Sequence, residues 1–176
     1  MEYENKKTER RGATLVEVLM YLGVAAFIIG GAIVLYSMAY QNYIANQTIE
    51  EVETIINRVH DVYPNPASYQ DLFNGNTFLL DYLPKKWRGE SNTVTTPSGG
   101  MIMMQPASMG AVPVVLLILN DVPVTTCFNI ITKDFGSNVI DRMGGGFSKL
   151  NGPMATRYAY IFCEQNYTNT IGLYIR

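Results

Sequence analysis

Few residues in this chain have the types and spacing that catalysis or metal binding requires. The chain has one histidine, His60, and two cysteines, Cys127 and Cys163, which lack CxxC spacing and any paired histidine or carboxylate cluster. No hydrolase elbow, P-loop or dinucleotide fingerprint occurs in the sequence. The glycine triplet at 144–146 lacks the lysine and the spacing of a phosphate-binding loop. We therefore expect no enzyme, no cofactor and no metal site.

The two cysteines are candidates for one disulfide. In an exported protein a single bridge between Cys127 and Cys163 is the economical interpretation, whereas two buried free thiols would suit a cytosolic protein. A bridge that closes a loop of this size stabilises a fold by about 3–4 kcal/mol in the chain-entropy model. The choice between these alternatives depends on export, which the start of the chain addresses.

One carboxylate, Glu17, stands near the start of a long apolar segment at 13–40. No charged residue occurs between Val18 and Ile49, and a helix over 13–40 is long enough to span about 30 Å of hydrocarbon. An ionised carboxylate within such a span costs about 2.5–3.5 kcal/mol on insertion scales. Glu17 therefore either reaches the membrane interface or pairs with a cation from a partner.

The residues before this segment form a short polar leader, Met1–Gly12, with four bases and three acids. A secretory signal peptide has its small-residue cleavage site after the apolar run. Here the small pair Gly12-Ala13 precedes the run, so cleavage there would retain the apolar helix in the mature protein. The basic residues of the leader would hold the start of that helix on the cytoplasmic side.

The sequence Arg-Arg-Gly followed by Ala-Thr-Leu-Val-Glu-Val-Leu, at 10–19, resembles the type III signal of type IV prepilins. The resemblance implies that a prepilin peptidase cuts after Gly12 and N-methylates Ala13. Glu17 then takes the fifth mature position, where the acid of that family neutralises the N-terminal amine of a neighbouring subunit during assembly. A buried carboxylate and a buried ammonium are each costly alone and tolerable together. Alanine rather than phenylalanine as first mature residue, and the longer leader, resemble the type IVb class.

The resemblance implies a structural subunit of a type IV pilus, and we expect a major pilin. Its implied partners are further copies in a helical homopolymer, the prepilin peptidase, the inner-membrane assembly machinery and, before assembly, membrane lipid. Its implied location is the bacterial inner membrane as a precursor and then the extracellular pilus. Beyond the leader, the only basic patch is Lys85-Lys86-Trp87-Arg88, which is too small to predict nucleic-acid binding. The alternatives are a signal-anchored periplasmic enzyme or binding domain, or a minor pilin or pseudopilin of a secretion system.

The predicted fold class is α+β, with a long N-terminal helix packed on a mainly antiparallel sheet that carries one disulfide. Three segments are expected: the leader at 1–12, the helix at 13–63 with its membrane-spanning part at 13–40, and a globular head at 64–176. Beyond Tyr40 the apolar residues recur at three- and four-residue steps, which predicts an amphipathic helix. Glu50, Glu51 and Glu53 are assigned to its polar face.

The head is expected to be irregular from Pro64 to Gly110, and most of its strands to come late. Helices are predicted within Tyr69–Leu83 and near Asn138–Met143. Strands are predicted from β-branched and aromatic runs at Met101–Gln105, Val112–Leu119, Thr125–Ile131, Tyr158–Cys163 and Ile171–Ile175. This pattern places both cysteines in strands.

Overall fold

The computed structural model describes residues 14–72, 75–88, 93–144, 147–163 and 169–176. The predicted leader, with Gly12, and Ala13 after it lie outside these residues. The α-helices are α1 (Leu15–Val62), α2 (Gly75–Tyr82), α3 (Val124–Thr132) and α4 (Thr156–Phe162). The strands are β1 (Val94–Thr95), β2 (Met101–Met109), β3 (Val112–Val122), β4 (Val139–Gly144), β5 (Phe147–Asn151) and β6 (Asn169–Ile175). Short 3₁₀ helices occupy Pro66–Asp71, Lys85–Trp87 and Gly136–Asn138.

Helix α1 is one continuous helix of 48 residues. It runs through Gly23 and the Gly30-Gly31 pair although glycine costs about 1 kcal/mol relative to alanine within a helix. It ends at Val62 because Pro64 disfavours helical geometry in the residue before it. Asn65 then caps the following 3₁₀ helix, accepting a hydrogen bond from the Ala67 N–H at 3.0 Å.

The sheet has six strands in the order β1-β2-β3-β6-β4-β5, and every recorded pair is antiparallel. Strands β2 and β3 form a tight hairpin in which Met109 pairs with Val112. Its turn includes Gly110 at a φ of 65°, a conformation that glycine adopts without steric cost. The C-terminal strand β6 lies between β3 and β4, so the last residues of the chain sit in the middle of the sheet.

A single hydrophobic core joins the second half of α1 to this sheet. Val52, Ile55 and Val59 of α1 are fully buried in the same cluster as Leu117 of β3 and Leu173 of β6. Alternate residues of β3 and β6 enter the cluster, as expected for strands with one face on the core. The predicted α+β fold class is confirmed by the long N-terminal helix, the antiparallel sheet and the single disulfide.

Three predictions on the later part of the head are wrong. Thr125–Ile131 belongs to helix α3 and Tyr158–Phe162 to helix α4, with Cys163 as the C-cap residue of α4, so neither cysteine lies in a strand. Asn138–Met143, expected to be helical, forms the end of a 3₁₀ helix and most of β4. Short apolar runs are compatible with both the two-residue period of a strand and the 3.6-residue period of a helix. In α3 and α4 the buried residues recur at three- and four-residue steps, as in a helix.

The segment from Pro64 to Gly110 is more regular than expected. Helix α2 falls within Tyr69–Leu83 as predicted, but Met101–Gln105 is only the first half of the nine-residue strand β2. Strand β3 continues through Asn120 and Asp121 to Val122, and Pro123 alone separates it from helix α3. Of the glycine triplet at 144–146, only Gly144 lies within the described residues.

Candidate assembly site

Glu17 lies in the first turn of α1, where its side chain is exposed. Its backbone N–H donates to the Thr14 Oγ1 at 3.3 Å, and the Val18 N–H donates to the Thr14 carbonyl at 3.1 Å. Thr14 thus acts as the N-cap residue, and Thr-x-x-Glu is the sequence signature of a capping box. A carboxylate in the first turn also interacts favourably with the helix dipole. Glu17 therefore has a local structural role besides any role toward a partner.

The first half of α1 exposes apolar side chains around its whole circumference. Every residue from Thr14 to Tyr43 is exposed, and Phe27 retains 87% of its accessible surface. A side chain added at Gly23, Gly30 or Gly31 would meet no atom within 4 Å. This is the one helix among the described residues that is long and apolar enough to cross a membrane. Such a surface needs a lipid or protein partner, because soluble monomers rarely expose large continuous apolar areas.

The second half of α1 has one buried stripe. Its buried positions are Ala45, Thr48, Ile49, Glu51, Val52, Ile55, Ile56 and Val59. The assignment of Glu51 to the polar face is wrong, because its side chain is 1% exposed. Glu50 is exposed and Glu53 half-buried, as a polar face requires. Glu51 adjoins the stripe at Thr48 and Val52, so a helical pattern alone could have placed it on either side.

Glu51 lines a groove of about 340 Å³ at the edge of the head. Of the described residues, Gln47, Glu50, Trp87, Thr95, Thr96 and Pro97 also line it. Thr96 is itself buried and closes a tight loop, donating from its backbone N–H to the Gly100 carbonyl at 2.8 Å. Among the lining residues that the structure describes, two are glutamates and none is basic.

The predicted disulfide between Cys127 and Cys163 is present and joins helix α3 to the end of α4. Both cysteines are fully buried, and their Cα atoms are 6.0 Å apart. The rings of Phe128 and Tyr160 pack beside the bridge with centroids 5.2 Å apart. Gly144 of β4 lies so close to α4 that an added Cβ would come within 2.7 Å of the Phe162 ring. The bridge therefore fixes two helices that also pack tightly on the sheet.

A buried arginine, Arg142 of β4, holds the end of α3. Its Nη2 donates to the Lys133 carbonyl at 2.6 Å, and its guanidinium lies 5.7 Å from the centre of the Phe135 ring. Burial lowers the pKa of Arg142, and the nearby Asp134 and Asp141 carboxylates oppose that shift. A β-bulge between Val139 and Asp141 places Asp141 and Arg142 side by side in the interior. Sequence alternation could not predict two adjacent buried charges, because a regular strand would expose one of them.

The remaining residues predicted to have functional roles do not form a site with one another within the described residues. Among the described residues, no group of three histidine, cysteine, aspartate or glutamate side chains could hold a metal ion. Gly12 and Ala13, the predicted cleavage and methylation site, lie outside the described residues. Glu17, the predicted assembly residue, lies within the described residues, in the first turn of α1. The capping signal at Thr14 was present in the sequence and was missed.

Comparisons with known proteins place this architecture in a family. A family model described as "PilS N terminal" matches residues 42–176, which cover the second half of α1 and the head. The major structural subunit of the bundle-forming pilus from Escherichia coli O127:H6 (strain E2348/69 / EPEC) is 27% identical over 137 residues. That alignment covers 76% of this chain and 69% of the relative. The same subunit from Escherichia coli O111:H- matches with the same identity and coverage.

The family match lies outside the segment that first suggested a pilin. The type III signal resemblance rests on 10–19, whereas the family model begins at residue 42. The two similarities therefore come from separate parts of the chain, and both indicate a pilin. The family model covers well over half of the sequence, and the chain belongs to the PilS N-terminal family and is a type IVb pilin.

Proposed function

We propose that this protein is a structural, non-enzymatic subunit of an extracellular type IV pilus that polymerises through the first half of α1. The observation that carries the proposal is the fully exposed apolar surface of α1 with one acid, Glu17, in its first turn. That surface suits a lipid bilayer before assembly and packing among neighbouring α1 helices afterwards. The family relationship supports self-assembly, and the relative is a major structural subunit.

The proposed maturation has two steps at residues 12–13. The prepilin peptidase cuts after Gly12, and Ala13 becomes the N-methylated first residue. The leader bases keep this site on the cytoplasmic side of the inner membrane until the assembly machinery receives the subunit. Cleavage creates a positively charged amine four residues from Glu17, so the mature helix carries one charge of each sign near its start.

The proposed role of Glu17 is to neutralise the N-terminal amine of Ala13 in a neighbouring subunit. Each group would be costly in an apolar filament core by itself, and pairing offsets much of that cost. The pair also fixes the axial register between subunits, because a helix displaced along its neighbour would leave both charges unmatched. The support for this role is positional, since Glu17 is exposed and no other charge lies between Val18 and Ile49.

The test separates the charge of Glu17 from its capping position. Glu17→Gln keeps a residue type that suits the capping box but removes the charge, whereas Glu17→Asp keeps the charge. We expect surface filaments to fall at least about tenfold for Glu17→Gln, which corresponds to a loss of about 1.4 kcal/mol in the free energy of subunit association. The loss should be smaller for Glu17→Asp. Membrane insertion, assayed by fractionation, should be normal in both. Wild-type filament yield from Glu17→Gln would contradict the proposed role.

A further inference from the structure

Three tyrosines form a narrow stripe on α1. Tyr36, Tyr40 and Tyr43 follow one another at steps of four and three residues, which places them within an arc of about 60° on a helix of 3.6 residues per turn. Their exposed fractions are 71%, 52% and 57%. The Gln47 Nε2 donates to the Tyr43 hydroxyl at 2.6 Å and extends the same stripe by one turn. Tyr43 lies on the side of α1 opposite the buried Val52, about 180° away around the helix.

The stripe begins where the apolar surface ends. Tyr36 lies 19 residues after Glu17, which corresponds to about 28 Å along the helix axis and nearly equals the hydrocarbon thickness of a bilayer. Between these two residues the only tyrosine is Tyr21, one turn after Glu17. The tyrosines of the apolar half are thus confined to its two ends. Polar side chains, among them Gln41 and Asn42, become frequent only beyond Tyr36.

This arrangement matches the physical demands of the lipid headgroup region. A tyrosine ring is apolar along its body and polar at its hydroxyl, so it is most stable where hydrocarbon meets water. Tyrosines that served only helix packing in a filament would have no reason to avoid the central part of the apolar surface. We propose that Tyr36, Tyr40 and Tyr43 form an interfacial belt that binds the outer headgroup layer and sets the depth of α1 in the membrane. This inference rests on the proposed membrane-spanning state of the subunit.

The test measures depth with cysteine reporters in the full chain. Gln41→Cys is labelled with a membrane-impermeant maleimide added from outside to vesicles of phosphatidylethanolamine and phosphatidylglycerol, without reductant, so that the Cys127–Cys163 bridge stays closed. The belt variant carries Tyr36→Leu, Tyr40→Leu and Tyr43→Leu. The matched control carries Tyr82→Leu, Tyr158→Leu and Tyr160→Leu, which remove three exposed tyrosines of the head.

The belt predicts that labelling of Gln41→Cys slows by about fivefold or more in the belt variant, because leucines extend the apolar surface past residue 41 and draw it into hydrocarbon. Labelling in the head control should stay within about twofold of the parent. Unchanged labelling in the belt variant overturns the proposal. If filament yield falls while labelling is unchanged, the stripe is a contact between subunits rather than a membrane belt. Ala25→Cys separates the two hypotheses: if it is labelled as fast as Asn46→Cys in the parent, the membrane-spanning state itself fails.

Discussion

The two halves of α1 have the same secondary structure but obtain their stability from different partners. From Thr14 to Tyr43 every side chain is exposed, whereas from Ala45 to Val59 eight positions are buried against the head. The second half is amphipathic and meets its partner within the chain. The first half is apolar on all sides, and nothing in the described chain covers it. On the proposed function, folding of the head and assembly of the filament would depend on separable parts of one helix.

Separability is a property that substitutions can test. A change in the second half or in the head should lower the free energy of unfolding and leave membrane insertion intact. A change in the first half should alter assembly with little effect on unfolding of the head. Trp87, the only tryptophan, packs against the core of the head and provides a fluorescence signal for unfolding in detergent.

The largest expected effect comes from the disulfide. Replacing both cysteines, Cys127→Ser with Cys163→Ser, should lower the free energy of unfolding by about 3–4 kcal/mol, because the unfolded chain gains the entropy of an open loop. Urea unfolding followed by Trp87 fluorescence measures the change. Fractionation should show the variant in the membrane at the wild-type level. An unchanged urea midpoint would contradict the assignment of the bridge as a main stabiliser of the head.

The next effect contrasts one isoleucine in each half of α1. Ile55 is fully buried, so Ile55→Ala should cost about 3 kcal/mol from lost burial and the cavity that remains. Ile33 is 63% exposed, so Ile33→Ala should change unfolding of the head by less than about 0.5 kcal/mol and instead reduce filament yield. Urea titration and quantification of sheared filaments measure the two quantities. Equal shifts in unfolding for the two variants would remove the distinction between the halves.

Two glycine substitutions, one in the head and one in the first half of α1, provide a further comparison. In the head, Gly144→Ala forces a Cβ to within 2.7 Å of the Phe162 ring and should cost about 1–3 kcal/mol through overpacking. In the first half of α1, Gly23→Ala meets open space and should leave unfolding of the head unchanged. Both variants are compared by urea titration against wild type. If Gly144→Ala proves neutral, α4 is packed less closely on β4 than its position indicates.

The smallest expected effect concerns the ion pair between Lys133 and Glu53, whose charged atoms are 2.7 Å apart. Both side chains are more than a third exposed, so solvent screens the pair and Lys133→Ala should cost less than about 1 kcal/mol. A double-mutant cycle with Glu53→Ala, repeated at low and high salt, isolates the coupling. A coupling that exceeds about 1 kcal/mol at high salt would show that the pair carries more of the contact between α3 and α1 than its exposure suggests.

The sequence was sufficient for the features that depend on composition and period. The apolar run, the position of Glu17, the amphipathic half of α1 and the antiparallel sheet all follow from patterns that persist over many residues. Strands β3 and β6 were predicted from runs rich in β-branched residues at Val112–Leu119 and Ile171–Ile175, and both runs lie within these strands. The disulfide was one of two open alternatives, and the structure selects it.

The sequence was insufficient where tertiary contacts decide between local alternatives. The segments around Cys127 and Cys163 are short and β-branched or aromatic, so propensity favoured strands, but the core accepts them as helices with one buried face. The burial of Arg142 depends on a bulge and on the carbonyl of Lys133, which lies nine residues away. Glu51 could not be assigned because it borders the buried stripe.

Intact-mass spectrometry of sheared surface filaments can decide whether α1 is retained, processed at its start and used for assembly. The filaments should contain one species that begins at Ala13, retains the Cys127–Cys163 bridge and carries one additional methyl group. The methyl and the new N-terminus should locate to the same peptide after proteolysis. A full-length chain that begins at Met1 and is found only in the membrane fraction would contradict the account.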